Sequence, residues 1–414
     1  MRLTGREILD SRGRPTVEAT CVTQGGFTGV CSVPSGASTG SAEAIEMRDG
    51  DPQRYAGLGC RNAAANITGE LQAAVHERCF ADQSEFDACL IQQDGTANKS
   101  RLGANAILAC SLAFARAVAV ERQIPLYRQF AEIAGLLVTR LPQLTVNLFS
   151  GGRHAGGQIP IQDVLLVPIG ASSIDQSLSM VSDVYRAAAD LVLRKYSMRL
   201  LRADEGGLAP AFLSAETMIE DALDSIRAAG MSPGQDMALA IDVAASHFYQ
   251  DGHYHFGDER LDGPHMIEKL ASWVQCYPIV SLEDGLAEDD WTHWPDLCRR
   301  LQSSSLILGD DLLCTNPERI SRAIHCRAAN ALLLKVNQIG TLSEAARALR
   351  LAYTANWRVT VSARSGETED NWLADLAVGW GAHQIKVGSI TQSERLAKYN
   401  RLLAIETETG LRIE

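Results

Sequence analysis

Residues 331–335 read Ala331-Leu332-Leu333-Leu334-Lys335, four apolar residues closed by a lysine. A short apolar run of this length with no alternation suits a strand buried on both faces, as in a parallel sheet covered by helices. Five further runs of the same kind surround it: Met237 to Asp242, Pro278 to Glu283, Leu306 to Asp310, Val359 to Ser362 and Gln384 to Lys386. Each is followed by a segment long enough for a crossover helix, so a repeating βα unit and a (β/α) barrel are predicted. In such a barrel the functional groups lie at the C-terminal ends of the strands. Asp242, Glu283, Asp310, Lys335 and Lys386 fall there in this reading.

N-terminal to the barrel the pattern changes. Thr16-Val17-Glu18-Ala19-Thr20-Cys21-Val22 alternates, which suits antiparallel strands within 14–33, and Ala-rich helical sequence follows from Asn62 to Val118. The fold class is therefore α/β, with an N-terminal α+β capping domain over residues 1–130 and a barrel domain over 131–414. A chain of 414 residues is long enough for two such units.

Composition narrows the function. With 46% hydrophobic and 21% charged residues the chain has ample core. Its net charge of −12 repels phosphate backbones and anionic lipid, so neither nucleic acid nor membrane is an expected partner. The ten cysteines include no pair at the spacing of zinc or redox motifs, and neither a signal peptide nor an apolar run of membrane-spanning length is expected. The expected setting is the cytoplasm.

The strand-end charges imply a chemistry. Asp242, Glu283 and Asp310 would share one crevice, where mutual repulsion raises carboxylate pKa values unless a cation joins them. Oxygen-only ligation with open positions suits Mg²⁺. Lys335, after three leucines, would have its pKa lowered by burial toward that of a general base. Taken alone, Lys335 or Lys386 could instead neutralise a nearby acid. Arg364-Ser365-Gly366 offers a clamp for phosphate, and the loop Val33 to Gly40 offers hydroxyls between glycines on what could be a lid or an ordinary surface loop.

These segments resemble the enolase family through nearly the whole chain. The resemblance rests on Gly5 to Gly13, the Val33 to Gly40 loop, Gly151-Gly152-Arg153-His154-Ala155-Gly156, Asp204-Glu205-Gly206-Gly207, Asp242 to Ser246, Ser281 to Asp284, Gly309-Asp310-Asp311, Lys335 to Gly340, Ser365 to Asp370 and Ser393 to Asn400. It implies a lyase dehydrating 2-phosphoglycerate to phosphoenolpyruvate, usually dimeric or of higher order. Enolase-superfamily sites use a Lys or His base with Mg²⁺, a pairing that comes from the superfamily and not from strand spacing. By resemblance Asp242, Glu283 and Asp310 hold the first Mg²⁺ and Ser38 reaches a second from the lid. Lys335 is the base, Glu205 assists departure of the hydroxyl, and Lys386 binds the substrate carboxylate. Arg364 and Ser365 hold its phosphate, while His154 and Asp163 line the pocket beside Glu283 and Asp310.

The departures are as specific. Ala363 stands where the family has histidine, in Ser362-Ala363-Arg364-Ser365-Gly366-Glu367, and Asp163 stands where it has glutamate. Arg14 replaces an asparagine and Arg153 a small residue. The metal and base half of the family pattern is kept and the leaving-group half is altered. Three readings stay open: an enolase, a paralogue acting on a related phospho- or phosphono-acid such as the carboxyphosphonoenolpyruvate synthases, and a non-catalytic scaffold. Retained ligands and base argue against the last.

Overall fold

The computed structural model describes residues 1–37 and 39–413. Three antiparallel strands open the chain: β1 (Arg2–Leu9), β2 (Pro15–Val22) and β3 (Thr28–Ser32). The alternation in β2 points Val17, Ala19 and Cys21 inward onto the helix Ala104–Glu121. Gly29 on β3 permits that packing, because a Cβ there would come within 2.2 Å of the Ala113 carbonyl oxygen. The helix is long and apolar enough on average to cross a membrane, although Asn105, Ser111 and Arg116 interrupt its apolar residues. It is 78% buried, so its apolarity is explained by the core of the capping domain.

The second unit is a closed eight-stranded barrel. Its strands are β4 (Gln143–Ser150), β5 (Asp163–Val167), β6 (Ala238–Asp242), β10 (Ile279–Glu283), β11 (Leu306–Gly309), β12 (Ala331–Leu334), β13 (Arg358–Ser362) and β14 (Gln384–Gly388). Between β6 and β10 lies a small antiparallel sheet of β7 (Tyr249–Gln250), β8 (His253–Phe256) and β9 (Glu259–Leu261), which accounts for the long interval between Asp242 and Glu283. Two strands escaped the apolar-run pattern. β4 enters directly from the capping domain, and β5 runs antiparallel to both β4 and β6, so neither belongs to a βα repeat. The other neighbouring pairs are parallel, and β14 closes the barrel on β4.

Strand periodicity positions the site. Side chains alternate across a strand, so residues two apart share a face. Leu165, Val167, Ala238 and Ala240 form one cluster separate from the main core, and Leu308, Ala331 and Leu333 another. Extending those faces by two residues gives Asp163, Asp242, Asp310 and Lys335. Because β5 is reversed, its first residue Asp163 pairs with the last residue of β6, Asp242, at the same end of the barrel. The helices that follow the strands begin on polar caps. Ser173, Ser214, Asn316 and Thr341 accept backbone N–H bonds at the starts of theirs.

Candidate active site

At this end of the barrel, charged groups converge in a volume that excludes most water. Lys386 is interior to β14, one turn of the pleat before Gly388, and does not cap the strand as its sequence position suggested. Its Nζ donates to Asp242 Oδ2 at 2.9 Å and to both oxygens of Glu283, at 2.8 and 2.7 Å. Lys335 Nζ donates to Asp310 Oδ2, and Gln338 Nε2 donates to Asp310 Oδ1 at 2.9 Å. Gln162 Nε2 reaches Asp242 Oδ2 at 3.2 Å. All three carboxylates from β6, β10 and the end of β11 are thus held by two lysines.

The electrostatics follow from these pairs. Burial would raise Asp242, but the Lys386 ammonium outweighs it and brings the carboxyl down to about 2. Glu283 goes the other way. Burial and the neighbouring Asp242 charge push it well above the carboxylate range despite Lys386. Burial favours neutral Lys335, as the sequence implied, yet the Asp310 carboxylate against it reverses the sign and its pKa is raised. Lys386 is raised further, since burial is overcome by Asp242 and Glu283.

Beside Asp242 lies a second network. His154 Nδ1 is 3.0 Å from Asp163 Oδ2, and Ser150 Oγ donates to Asp163 Oδ1 at 2.6 Å. Burial would lower His154, but the Asp163 charge and hydrogen bond raise it to about 9. Asp163 itself sits above its usual range because its complete burial outweighs the imidazolium. Asn147 Nδ2 donates to Glu205 Oε2 at 3.0 Å. Burial raises Glu205, while His154, Arg395, Lys386 and Lys335 together lower it below the ordinary value. Glu205 is therefore an ionised carboxylate facing the lysines.

The remaining wall comes from the loop after β13. Arg364 is nearly fully buried, with Nη1 and Nη2 on Glu43 at 3.1 and 3.2 Å and Nη1 on Asn337 Oδ1 at 3.0 Å. Ser365 Oγ accepts from Arg12 Nη1 at 3.1 Å, and Arg12 is itself held by Asp10 at 2.8 Å. Ala363 lines the cavity beside Ser362 and Arg364, and the space left among these side chains is about 30 Å³. Ala37 closes it from the N-terminal loop. Ser38 lies outside the described residues.

The structure thus gathers Glu205, His154, Asp242, Asp310, Lys335, Arg364, Ser365 and Lys386 around one cavity, with Glu283 and Asp163 bonded directly to that group. Sequence reading missed Glu43, Gln162, Asn147 and Gln338. Glu43 and Arg364 are 321 residues apart, and a single glutamate in a loop carries no periodic signal.

The donor set fits Mg²⁺. Asp242, Glu283 and Asp310 supply oxygen donors only, from adjacent strands, and Glu283 feels both other carboxylates. Among the described residues the one trio whose oxygens all lie within 4.8 Å of one another is Asp284, Asp310 and Asp311. We assign Asp284 a different part, because it accepts the backbone N–H groups of Asp310 and Asp311 at 2.9 and 2.8 Å and so fixes the turn that presents Asp310.

Comparison with known families decides the lineage. The family described as "Enolase, N-terminal domain" matches residues 1–130, and "Enolase, C-terminal TIM barrel domain" matches residues 138–413. The chain belongs to the enolase family. Membership makes it an enolase-type lyase of the kind that generally binds Mg²⁺ and acts on small phosphorylated acids. In this enolase-family barrel the last helix of the capping domain ends at Ala134 and the first barrel strand starts at Gln143, so the matched segments correspond to the two structural units.

Proposed function

We propose that this enolase-family chain dehydrates 2-phosphoglycerate to phosphoenolpyruvate, in the cytoplasm and as a dimer or higher homo-oligomer. The observation that carries the reaction is that Lys335 and Glu205 line one cavity, so that a base and a carboxylate meet the same bound molecule. Lys335 Nζ takes the proton next to the substrate carboxylate, and Glu205 faces the hydroxyl that leaves.

Asp242, Glu283 and Asp310 would hold Mg²⁺, with Ser38 reaching a second ion. When bound, the metal supplies positive charge that neutralises the substrate carboxylate and competes with Lys335 for Asp310. Arg364, fixed by Glu43, and Ser365, fixed by Arg12, meet the phosphate; Lys386 meets the carboxylate. Buried cations of this kind orient an anion at little further entropy cost, because their partners already fix them. Glu205 must gain a proton to release the hydroxyl as water. The negative charges of an arriving substrate raise its pKa in that direction.

The second reading is a paralogue taking a related phospho- or phosphono-acid. Ala363 and the short Asp163 favour it, since the family's histidine and longer glutamate belong to the leaving-group side. Phosphoenolpyruvate formation from 2-phosphoglycerate with Mg²⁺ tests the choice. Steady formation supports dehydration. Proton exchange without phosphoenolpyruvate supports the paralogue.

A further inference from the structure

The turn Val336–Gln338, directly after Lys335, reaches two parts of the cavity with adjacent side chains. Asn337 Oδ1 accepts from Arg364 Nη1 at 3.0 Å, on the side assigned to the phosphate. Gln338 Nε2 donates to Asp310 Oδ1 at 2.9 Å, on the side assigned to the metal, and to Glu43 Oε1 at 3.3 Å. Glu43 in turn holds both terminal nitrogens of Arg364 and accepts the Gly40 backbone N–H at 3.1 Å. Asp310, Gln338, Glu43, Arg364 and Asn337 therefore form one closed ring of contacts that spans the two domains. The proposed reaction uses Asp310 and Arg364 but gives the amide between them no part.

The orientation of that amide is fixed by its surroundings. The Lys335 backbone N–H donates to Thr315 Oγ1 at 2.9 Å, which leaves the hydroxyl proton for Gln338 Oε1, 2.8 Å away. A flipped amide would turn its oxygen toward two carboxylates, neither of which has a proton to give when ionised. Gln338 and Thr315 are both fully buried, and Ala44 N bonds the Gln338 carbonyl at 2.8 Å, so side chain and backbone are each tied to the loop from the capping domain. Thr315 has a φ of 50°, in the left-handed region that a β-branched residue rarely occupies, and Cys314 before it has a φ of 47°. Strain of this kind persists where the surrounding structure over-determines it, and it clusters at functional sites. Here it places a hydroxyl against the amide oxygen.

We propose that Gln338 is a positioning residue that couples the two sites, so that a divalent cation at Asp310 and a phosphate at Arg364 each bind more tightly when the other is present. This rests on the roles proposed above for Asp310 and Arg364. If Asp310 turns to another rotamer it loses the Gln338 bond, and the amide no longer holds Glu43 in register with Arg364. A cation that keeps Asp310 in place therefore keeps the guanidinium in place as well, and by linkage an anion on the guanidinium favours the cation by the same factor. Cation and anion also attract each other directly; the share carried by Gln338 is the one that its substitution removes.

The test titrates Mg²⁺ calorimetrically into the full chain, without and with saturating inorganic phosphate, correcting for the magnesium phosphate formed in solution and following the tighter binding event. In wild type, phosphate should tighten Mg²⁺ about tenfold, and Gln338→Leu should reduce that ratio to about threefold or less. Thr315→Val, which keeps the amide and removes the hydroxyl that orients it, should give a ratio between the two. A merely structural role would weaken both affinities and leave the ratio unmoved. Thermal unfolding shows which variants are folded, and if Gln338→Leu is not, the ratio in Thr315→Val decides. A wild-type ratio in the folded variant overturns the proposal and leaves the metal site standing. Wild-type Mg²⁺ binding that phosphate does not change overturns it too. Absence of Mg²⁺ binding by wild type, with or without phosphate, overturns the proposal together with the metal assignment on which it rests.

Discussion

The two walls of the cavity are built differently. On one, Asp242, Glu283 and Asp310 are each bonded to a lysine, and every member lies on or next to a parallel strand of the βα repeat. The other side is made of two separate places: Asp163 at the start of the reversed strand β5, paired with His154, and Ala363 in the loop after β13, which contributes only a methyl. The first wall keeps the family pattern intact and the second departs from it at two places. In the proposed reaction proton abstraction uses the first wall, and loss of the hydroxyl uses the second. For the proposed reaction, the difference predicts that the two half-reactions are separable in this chain.

The strongest way to break that comparison is to rebuild the second wall. Ala363→His with Asp163→Glu should raise dehydration of 2-phosphoglycerate by about 10²–10⁴-fold, the usual contribution of a positioned proton donor, with α-proton exchange barely altered. Both rates are read from one reaction in deuterated water. Equal rises in the two would mean that the walls are coupled. Efficient wild-type dehydration that the double substitution leaves unchanged would remove the grounds for a paralogue.

A smaller effect is expected where the loop after β13 is anchored to the capping domain. Glu43→Ala leaves the buried Arg364 guanidinium without its carboxylate, at a cost of about 3–5 kcal/mol in unfolding free energy. Denaturant unfolding measures it. A loss below about 1 kcal/mol would show that Asn337 and the surrounding dipoles suffice.

The second wall should also leave a mark on pH dependence. His154 is raised above its unfolded value of 6.5 to about 9, so its contribution to stability is complete below pH 6.5 and is lost as pH rises through 9. Asp163 is raised as well, so its ionisation above the ordinary carboxylate range costs stability in the same direction. Asp163→Asn removes the partner, and the fall in stability between about pH 6.5 and 9 should flatten. A slope identical to wild type would assign that pH window to other groups.

The smallest effect concerns the loop that closes the cavity. Ser41 N and Oγ both donate to Glu288 Oε2 at 3.0 Å, an exposed contact between the two domains. Ser41→Ala should cost about 0.5–1.5 kcal/mol, one hydrogen bond's net worth. Calorimetric unfolding checks it, and no change would mean that the backbone bond alone holds the loop.

How much of this was legible in the sequence differs between the same two walls. The parallel strands are short unbroken apolar runs, so their positions and terminal charges could be read directly, and the enolase family followed from the motifs they carry. β4 and β5 lie outside that rhythm, and the reversal of β5, which brings Asp163 level with Asp242, is a property of strand pairing. The sign of the Lys335 shift was misread for a related reason. Three leucines report burial, whereas Asp310, which decides the sign, reaches Lys335 only once β11 and β12 are adjacent. Glu43 and Gln162 were invisible because a single polar residue in a loop gains meaning only from what the topology sets against it.

The central claim is that Lys335 takes the α-proton. Exchange of the α-proton of 2-phosphoglycerate in deuterated water with Mg²⁺, followed by proton NMR for wild type and Lys335→Ala, tests it most directly. Wild type should exchange, and the variant should fall by at least about 10²-fold. Exchange at the wild-type rate in Lys335→Ala would contradict the assignment and move the base to Lys386, and no exchange in wild type would contradict the reaction itself.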